Sequence, residues 1–594
     1  MQFRINIFGG TKPKIAPQLL GASSAQVASN CDLQFGDLRP VAGLSPVSTI
    51  SKPGAHRSLF RIGTQWVAWP ALVDLVFSPT YNKDRRFIFT GAGEPQKSSA
   101  SLATSGADSG FPTTTYGLGV PAPALPLTVT LAPAASTADT LRSTSYVYTY
   151  ITGWGEESAP SDATGVFEVK DDQTTTLTTN TIPPTGYNIT AWRIYRVTVG
   201  TSSKGDFQFV AECTISDTTY SDTKKDSELG AVIATTAYTA PISPWSGTAF
   251  YLESQRTVYG GIVYRCKKDI EIVGTTPNLD VDHWEVSNSL SGVASLSNGV
   301  IAAFVENELC MTPPYIPYGW PLAYNLTAEY PIVALGHYSN TLVILTEGWP
   351  YLSDGIDPSA AGLTKIDSMQ PCINKRGVVS GTDFVLYPSP DGLVMIGSSG
   401  LTVVTSGVVT KKQWAALSPE SFVAFWYDGK YIAFVEGTSK GYVLDAKSES
   451  PSLLEINFPA GTRIWGGYVD LTSDGLYLLT DHSDGIYKVE QYDAGSYLPY
   501  TWKSKQISVP QYTAIAAVRV RGAWENGVTF TFFGDSIQVY QCVVSNNKPF
   551  RLPTGKWRTL EFSVSGTDRL EEVGFATSLE ELMRLTGDAE EVLS

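Results

Sequence analysis

The sequence predicts an all-β protein built around an irregular β-propeller, with an inserted β-sandwich and a terminal β platform domain. Glycine (53), proline (36) and tyrosine (30) are abundant among the 594 residues, which favours strands and turns over helices. Asp-Gly pairs recur between apolar runs, where glycine supplies the positive φ of a hairpin turn. They begin at Asp354, Asp391, Asp428, Asp474 and Asp484. The first four lie 37, 37 and 46 residues apart, close to one propeller blade, although the alternation also fits stacked sandwiches.

Charge is distributed unevenly along the chain. The net charge is −15, yet residues 1–100 sum to +6 and residues 501–594 to −1. Residues 101–289 carry −9 and residues 290–500 carry −11. A protein that binds nucleic acid tightly needs a stripe of basic residues, so this charge distribution argues against a nucleic-acid-binding protein. The excess of acidic residues is equally well explained by a general need for solubility.

Cysteine usage and hydropathy indicate a chain made in a cytoplasm. The six cysteines include no Cys-x-x-Cys pair, which is typical of buried small hydrophobes in a reducing cell. The start, "MQFRINIFGG", has no secretory apolar run, and no window is apolar enough for a membrane helix.

Composition shifts divide the chain into six predicted segments. Residues 59–90 read as strands that we expect to close the propeller, followed by a proline-rich linker. The last segment ends in a predicted short helix, Ser578 to Leu585. The predicted segments are a docking arm (1–58), first propeller strands and linker (59–125), a sandwich (126–236), a small insertion (237–292), the propeller body (293–498) and a C-terminal β platform domain (499–594).

Two of these segments resemble known modules. In the first, Tyr146, Tyr148 and Tyr150 alternate along one strand, and the turn Gly155–Ser161 with "RIYR" resembles the fibronectin type III sandwich. In the second, residues 258–286, the aromatic order is similar to small chitinase-type carbohydrate-binding modules. Its candidate sugar-stacking residues are Tyr259, Tyr264 and Trp284. The alternative is that these rings form the core of a small β unit.

Catalytic signals are weak. The four histidines show no metal-ligand spacing, and neither a G-x-S-x-G elbow nor a phosphate loop occurs. Many carboxylates leave glycoside hydrolysis as a minor alternative. We therefore expect no enzyme, no cofactor and no metal site.

The run "TPPYIPYGWPLAY", Thr312 to Tyr324, carries the most distinctive local chemistry. Prolines fix the backbone and aromatic side chains project from it, which suits a contact loop or a gate. Its candidate residues are Tyr315, Tyr318 and Trp320. The alternative is a buried plug between propeller blades.

Several stretches together resemble the tail nozzle proteins of short-tailed phages, the tail tubular protein B group. The stretch "PQLLGASSAQVASNCDLQFGDLRP" has the apolar pair Leu19–Leu20, then Ala25–Gln26, Ala28–Asn30 and the close Gly36–Pro40. "TGAGEPQ", "PPYIPYGWP", "YPIVALG", "CINKRGVV", "KKQWAALSPES" and "FRLPTG" follow in the family's order. The resemblance therefore covers nearly the whole chain, except residues 258–286.

The resemblance implies a structural virion protein: a homohexameric ring below the head-to-tail adaptor that forms the lower DNA conduit and gate. Terminal segments would combine into a platform docked on the adaptor, with arm 16–40 ordered by assembly and the basic Lys12, Lys14 and Arg39 facing an acidic adaptor surface. Expected partners are the adaptor, tail fibres or spikes, the host envelope and passing double-stranded DNA without specific binding. The interface candidates are Leu19, Leu20, Gln26, Asn30, Leu38, Arg39 and Arg551.

Two other function classes remain open at this point. A tail hub or adhesin would bind host surface glycans through the sandwich and residues 258–286. A glycan-cleaving tail enzyme would use the propeller-like body and its carboxylates. Six-fold assembly separates the nozzle from an isolated binder, glycan binding favours the second class, and release of reducing ends favours the third.

Overall fold

The structure is a computed structural model that describes residues 2–104, 112–133, 141–170, 173–199, 205–270, 274–354, 357–448 and 450–585. The predicted all-β class is confirmed, because strands dominate and the helices are short. The α-helices are Ala100–Ala103, Lys411–Ala415 and Leu579–Leu585, the last as predicted. The 3-10 helices are Pro17–Leu19, Asp226–Glu228, Leu322–Tyr324, Lys375–Gly377, Val404–Gly407 and Pro419–Ser421. None of the helices in these ranges has the length and apolarity to cross a membrane.

The chain forms two compact units. Unit 1 contains both ends of the chain: Met1–Arg61, Trp66–Pro70 and Ser368–Ser594. Unit 2 contains Ile62–Gln65 and Ala71–Asp367. The N-terminal segment therefore packs with residues more than 300 positions away along the chain.

Two sheets of unit 1 form the platform, a sandwich made from both ends of the chain. The first sheet has the strand order Gln2–Ile5, Arg569–Ala576, Ala517–Ala523, Phe550–Arg551. The second has the order Ala25–Ser29, Tyr500–Ser504, Trp557–Gly566, Val528–Gly534, Ile537–Val544, and Ile507–Thr513 also pairs with Trp557–Gly566. Buried side chains of the two ends share one core, including Ile5, Phe8, Ala28, Trp502, Phe530, Phe562 and Phe575.

Unit 1 also contains three propeller-like blades, each a four-stranded antiparallel sheet, which we number 4 to 6 by the position of their first strands in the chain. Blade 4 is Val379–Ser380, Phe384–Ser389, Gly392–Gly397 and Gly400–Val403. Blade 5 is Phe422–Tyr427, Lys430–Val435, Lys440–Leu444 and Leu453–Asn457. Blade 6 is Arg463–Asp470, Gly475–Asp481, Lys488–Gln491 and Ser45–Thr49. Consecutive blades contact each other through their first strands, which is the packing expected around a propeller axis.

The strand that completes blade 6 corrects one prediction. We expected residues 59–90 to supply the closing strand, but Ser45–Thr49 pairs with Lys488–Gln491 instead. Residues 58–69 instead form a two-stranded hairpin from the strands Ser58–Ile62 and Gln65–Trp69. A second two-stranded sheet pairs Cys31–Asp32 with Arg39–Pro40. Ser45–Thr49 is short, polar and largely exposed, so it lacks the apolar alternation that identifies a strand from sequence.

Unit 2 contains three blades of the same kind, numbered 1 to 3. Blade 1 is Asp74–Phe77, Phe87–Thr90, Gln96–Ser98 and Tyr116–Gly117. Blade 2 is Ser291–Ser295, Ile301–Val305, Glu308–Met311 and Leu326–Thr327, and blade 3 is Ile332–Tyr338, Thr341–Thr346, Tyr351–Asp354 and Thr364–Lys365. Their first strands again lie next to one another. Part of the stretch predicted as a linker is therefore blade structure, whereas residues 105–111 and 134–140 lie outside the described residues.

A seven-stranded sandwich and a small sheet complete unit 2. The sandwich is a predicted part of the fold and has two sheets. The first has the order Thr128–Leu131, Thr175–Thr178, Thr219–Asp222, and the second has the order Phe167–Lys170, Leu141–Thr152, Ile189–Val199, Gln208–Thr214. Tyr146, Tyr148 and Tyr150 are buried in its core with Trp192, as their alternation predicts. The small sheet is Ser243–Pro244, Arg256–Tyr259, Ile262–Cys266 and Trp284–Val286.

The Asp-Gly hairpins are confirmed at four of the five positions. The clearest is in blade 5, where Asp428 (φ 50°) and Gly429 (φ 70°) form the two-residue turn between paired Tyr427 and Lys430. The pair at 484 lies in the loop between two antiparallel strands of blade 6. At 391 and 474 the glycine is the first residue of the second strand, and at 474 the positive φ (48°) belongs to the aspartate. At the fifth pair, Gly355 lies outside the described residues.

The blade 5 turn gives a stability prediction. Gly429→Ala keeps the turn sterically open, since no atom lies within 4 Å of the new Cβ, but it places alanine at positive φ. We expect a loss of about 1 kcal/mol in the free energy of unfolding, measured by urea denaturation. Gly407→Ala is the control, because Gly407 is equally open and has no positive φ. An equal effect of the two substitutions would contradict the left-handed turn.

Candidate functional site

The platform places an N-terminal strand between two distant parts of unit 1. Strand Ala25–Ser29 pairs antiparallel with Tyr500–Ser504 on one side, with Ser29 opposite Thr501. On its other side Ser29 pairs in parallel with Glu455, in the last strand of blade 5. The N-terminal strand therefore joins the C-terminal platform strands to blade 5 in one continuous sheet.

Asn30 fixes this junction through its side chain. Its Nδ2 donates to the carbonyl oxygens of Asn457 and Pro499, both at 3.2 Å, and its Oδ1 accepts from the Asn457 amide at 2.7 Å. The residue is buried and has φ 55°, a conformation that asparagine tolerates better than most residues. One side chain thus satisfies backbone groups of the two segments that flank the N-terminal strand.

Gln26 lies at a bulge of the same strand and contacts a buried carboxylate. The pairing shifts between Ala25 and Val27, and Gln26 Nε2 donates to the Ser504 carbonyl at 2.8 Å and to Glu561 at 3.2 Å. Glu561 also accepts from Lys503 Nζ at 2.5 Å and from Gln506 at 2.9 Å. Burial alone would raise the pKa of Glu561, but these partners outweigh it and lower the pKa. Sequence reasoning missed Glu561, because no motif marks a carboxylate that is paired only in the folded chain.

The other interface candidates divide into buried and exposed residues. Leu20 and Leu38 are buried within unit 1. Leu19 is 73% exposed, and Arg551 is also exposed. Arg39 pairs with Asp37 at 2.9 Å and lies over the exposed Phe35 ring at 4.3 Å. Only the exposed members are accessible to a partner in the single chain.

The expectation that assembly orders the arm is wrong. Strand Ala25–Ser29 is already paired on both sides within one chain. Lys12 and Lys14 also make contacts inside unit 1, donating to the Ser450 hydroxyl and the Ser406 carbonyl, each at 2.5 Å. The arm reaches a large apolar core without a partner, and burial of that core offsets the entropy of ordering it.

The second platform sheet ends in an open edge. Strand Ile537–Val544 pairs only with Val528–Gly534, and no described strand pairs with its other edge. Its sequence, "IQVYQCVV", has no charged residue and no proline, and Ile537 and Val543 are 70% and 69% exposed. A long, uncharged, apolar edge strand is a template for pairing with another chain. The sequence indicated a strand here, but its position at a sheet edge follows only from the topology.

The proline-aromatic loop divides between core and surface. Trp320 is buried against Ile88 of blade 1 and Val293 and Ile301 of blade 2, so the plug interpretation is correct for this residue. Tyr318 is partly buried and makes an edge contact with Tyr238 at 6.1 Å. Tyr315 is 53% exposed, so it remains accessible for a contact.

The proposed sugar-stacking role of residues 258–286 is wrong for two of its three aromatics. Tyr264 and Trp284 are buried, and together with Tyr251, Cys266 and Ile270 they form the core of the small sheet. Tyr259 is partly exposed, with its ring 5.3 Å from Trp245 in an edge contact. A sheet this small has few other apolar residues to bury, so Tyr264 and Trp284 form its core and offer no flat face to a sugar.

The histidines and cysteines of the chain are candidate metal ligands and nucleophiles. In the described part of the chain, no group of three or more His, Cys, Asp or Glu side chains has the arrangement to hold a metal ion. Asp280 accepts from His283 Nδ1 at 2.8 Å, which is an isolated pair. All six cysteines are free, and five are buried. Burial raises the pKa of Cys310 to about 12, so this thiol is not activated.

Comparisons with known proteins leave the family open. No family model matches the chain, and no curated protein matches it. Among solved structures, AztD from Citrobacter koseri covers 72% of this chain and 100% of its own at 11% identity, with a TM-score of 0.27. The WD40 domain of Toxoplasma gondii coronin covers 63% and 88% at 8% identity (TM-score 0.23), and an exo-β-1,3-galactanase from Phanerochaete chrysosporium covers 48% and 95% at 7% identity (TM-score 0.21). Similarities at this level carry no argument about function.

The junction at Asn30 gives a stability prediction. Asn30→Ala removes three hydrogen bonds to backbone groups of Asn457 and Pro499 and places alanine at a φ of 55°. We expect the free energy of unfolding to fall by about 3 kcal/mol in urea denaturation. Leu19→Ser, at an exposed position of the same arm, should change it by less than about 0.5 kcal/mol. Equal effects of the two substitutions would contradict the arm's place in the sheet.

Proposed function

We propose that this chain is a structural virion protein, the tail nozzle of a short-tailed phage. In this proposal six copies form a ring below the head-to-tail adaptor, which serves as the lower DNA conduit and gate during genome ejection. The observation that carries the proposal is the platform, in which strands from residues 2–29 and 500–576 share one core. The resemblance of the sequence to tail nozzle proteins implies such a platform of terminal segments.

The open edge of the platform supports self-association. Strand Ile537–Val544 presents a row of unpaired backbone N–H and C=O groups beside exposed Ile537 and Val543. Pairing of this edge with a different surface of the next copy is a heterologous contact, which closes into a ring when the rotation permits. A ring needs such a contact once per subunit, and the edge strand Ile537–Val544 can provide it.

The charge distribution supports passage of DNA without capture. Residues 101–500 carry most of the negative charge, which repels phosphate and gives no basic stripe for DNA to bind. The exposed Leu19, Phe35 and Arg551 on unit 1 are the accessible candidates for the adaptor contact. Tail fibres or spikes and the host envelope are further partners in this proposal. The protein would be synthesised in the host cytoplasm and would then be located in the virion.

The experiment that tests the proposal is the mass and symmetry of the purified chain, with and without its adaptor, by light scattering and electron-microscope class averages. We expect a six-fold ring with a central hole. A chain that stays monomeric under both conditions would contradict the nozzle proposal.

The same measurement on variants tests the role of the edge strand. Ile537→Asp with Val543→Asp places charge on the edge, and we expect the association constant to fall by at least about tenfold, because charged side chains block strand pairing. Val166→Asp is the matched control, since Val166 is 66% exposed and lies on unit 2. Unchanged assembly of the double variant, with an intact ring, would assign the subunit contact to another surface.

A further inference from the structure

A cleft of about 340 Å³ opens on unit 2, and we call it the aromatic cleft. It lies between blade 1, the sandwich turn that follows Thr152, and the proline-aromatic loop. Its aromatic lining residues are Tyr81, Phe87, Trp154, Tyr315 and Tyr318. Such a concave site with aromatic walls and a few polar groups is typical of a small-ligand site.

Tyr315 is held at the mouth of the cleft by an unusual backbone. Its φ is 60°, which is rare for an aromatic residue, and its amide donates to the Gly299 carbonyl at 2.9 Å. A Cβ on Gly299 would lie 2.8 Å from the Tyr315 ring, so only glycine permits this position of the ring. The fold therefore keeps a large apolar ring half exposed at a cost in backbone strain, which is more common at binding sites than elsewhere.

The charged groups of the cleft leave one cation available. Lys97 and Glu156 are both buried and pair with each other, and Lys97 Nζ also donates to the Gly119 carbonyl at 3.1 Å. Arg86 lies over the Trp154 ring at 4.6 Å and makes a long contact of 3.5 Å with the Trp154 carbonyl. Among the described residues Arg86 forms no salt bridge, although the carboxylates of Glu156 and Asp84 attract its charge, and its remaining N–H donors can bind a ligand.

Tyr318 supplies a neutral hydroxyl beside this cation. Burial raises the pKa of Tyr318 to about 12, so its hydroxyl stays protonated at neutral pH. Ser78 and Thr80 also line the cleft. The cleft thus combines flat apolar rings, several hydroxyl groups and one guanidinium.

We propose that the aromatic cleft binds an anionic saccharide, with the sugar carboxylate on Arg86 and a pyranose face stacked on Tyr315. Guanidinium matches carboxylate in a two-pronged geometry, and the apolar C–H face of a pyranose packs on an aromatic ring. The Tyr318 hydroxyl bonds the Glu157 backbone, and the Ser78 and Thr80 hydroxyls bond each other at 2.8 Å, so each keeps part of its hydrogen-bonding capacity for sugar hydroxyls. Duplex DNA is a poor fit, because a single cation in an acidic segment cannot neutralise a run of phosphates. This inference does not depend on the nozzle proposal.

The test is calorimetric titration of the full chain with a panel of carboxylated saccharides: glucuronate, galacturonate, N-acetylneuraminate and their short oligomers. Each is compared with its uncharged counterpart in about 50 mM salt, because screening weakens charge recognition. We expect at least one acidic member to bind and its neutral counterpart to bind at least about tenfold more weakly, since a hydrogen-bonded charge pair is lost.

Matched variants locate the site. Arg86→Gln should weaken binding at least about tenfold, and Tyr315→Asn, which keeps the left-handed backbone but removes the ring, should weaken it severalfold. Lys83→Gln removes the same charge from an exposed neighbour outside the cleft and should leave the dissociation constant within about twofold. Urea denaturation of each variant checks that the fold is intact. Absence of binding by every acidic saccharide, equal binding of neutral ones, or binding unaffected by Arg86→Gln would overturn the proposal.

Discussion

Unit 1 depends on one strand insertion, that of Ala25–Ser29 between Tyr500–Ser504 and blade 5. Without it, the C-terminal platform strands and blade 5 would each present an unpaired edge, and backbone groups buried there would lose their partners. Asn30 adds a side chain that reaches both flanking segments. The N-terminal arm is therefore an internal structural element first, and any contact with other chains must use its exposed residues.

The fold could be predicted from sequence where a local pattern is strong. Alternating Tyr146, Tyr148 and Tyr150 identified a buried sandwich strand, and Asp428–Gly429 identified a hairpin, because both signals act over a few residues. Ser45–Thr49 could not be identified, since it is polar and its partner, Lys488–Gln491, lies more than 400 residues away. The aromatics of residues 258–286 were misinterpreted, because sequence does not tell a ring that forms a small core from one that faces solvent.

The candidate sites, too, could be predicted where the signal is local and could not be predicted where it depends on packing between distant residues. Residue types pointed to the loop Thr312–Tyr324, but its separation into buried Trp320 and exposed Tyr315 required the packing of blades 1 and 2. Arg86 and Trp154 lie 68 residues apart and carry no shared motif, so their stacking was not predictable. The proposed assembly surface and the proposed saccharide cleft are compatible in one chain, since the residues of the first belong to unit 1 and those of the second to unit 2.

The most direct test of this account is hydrogen exchange of the isolated, monomeric chain, measured at the amides of Ala25–Ser29 and Tyr500–Ser504. If the inserted strand belongs to the folded single chain, both segments should show strong protection of similar magnitude, because they open together. Rapid exchange of the Ala25–Ser29 amides while the Tyr500–Ser504 amides stay protected would contradict the account. It would indicate instead that the arm becomes ordered only on assembly.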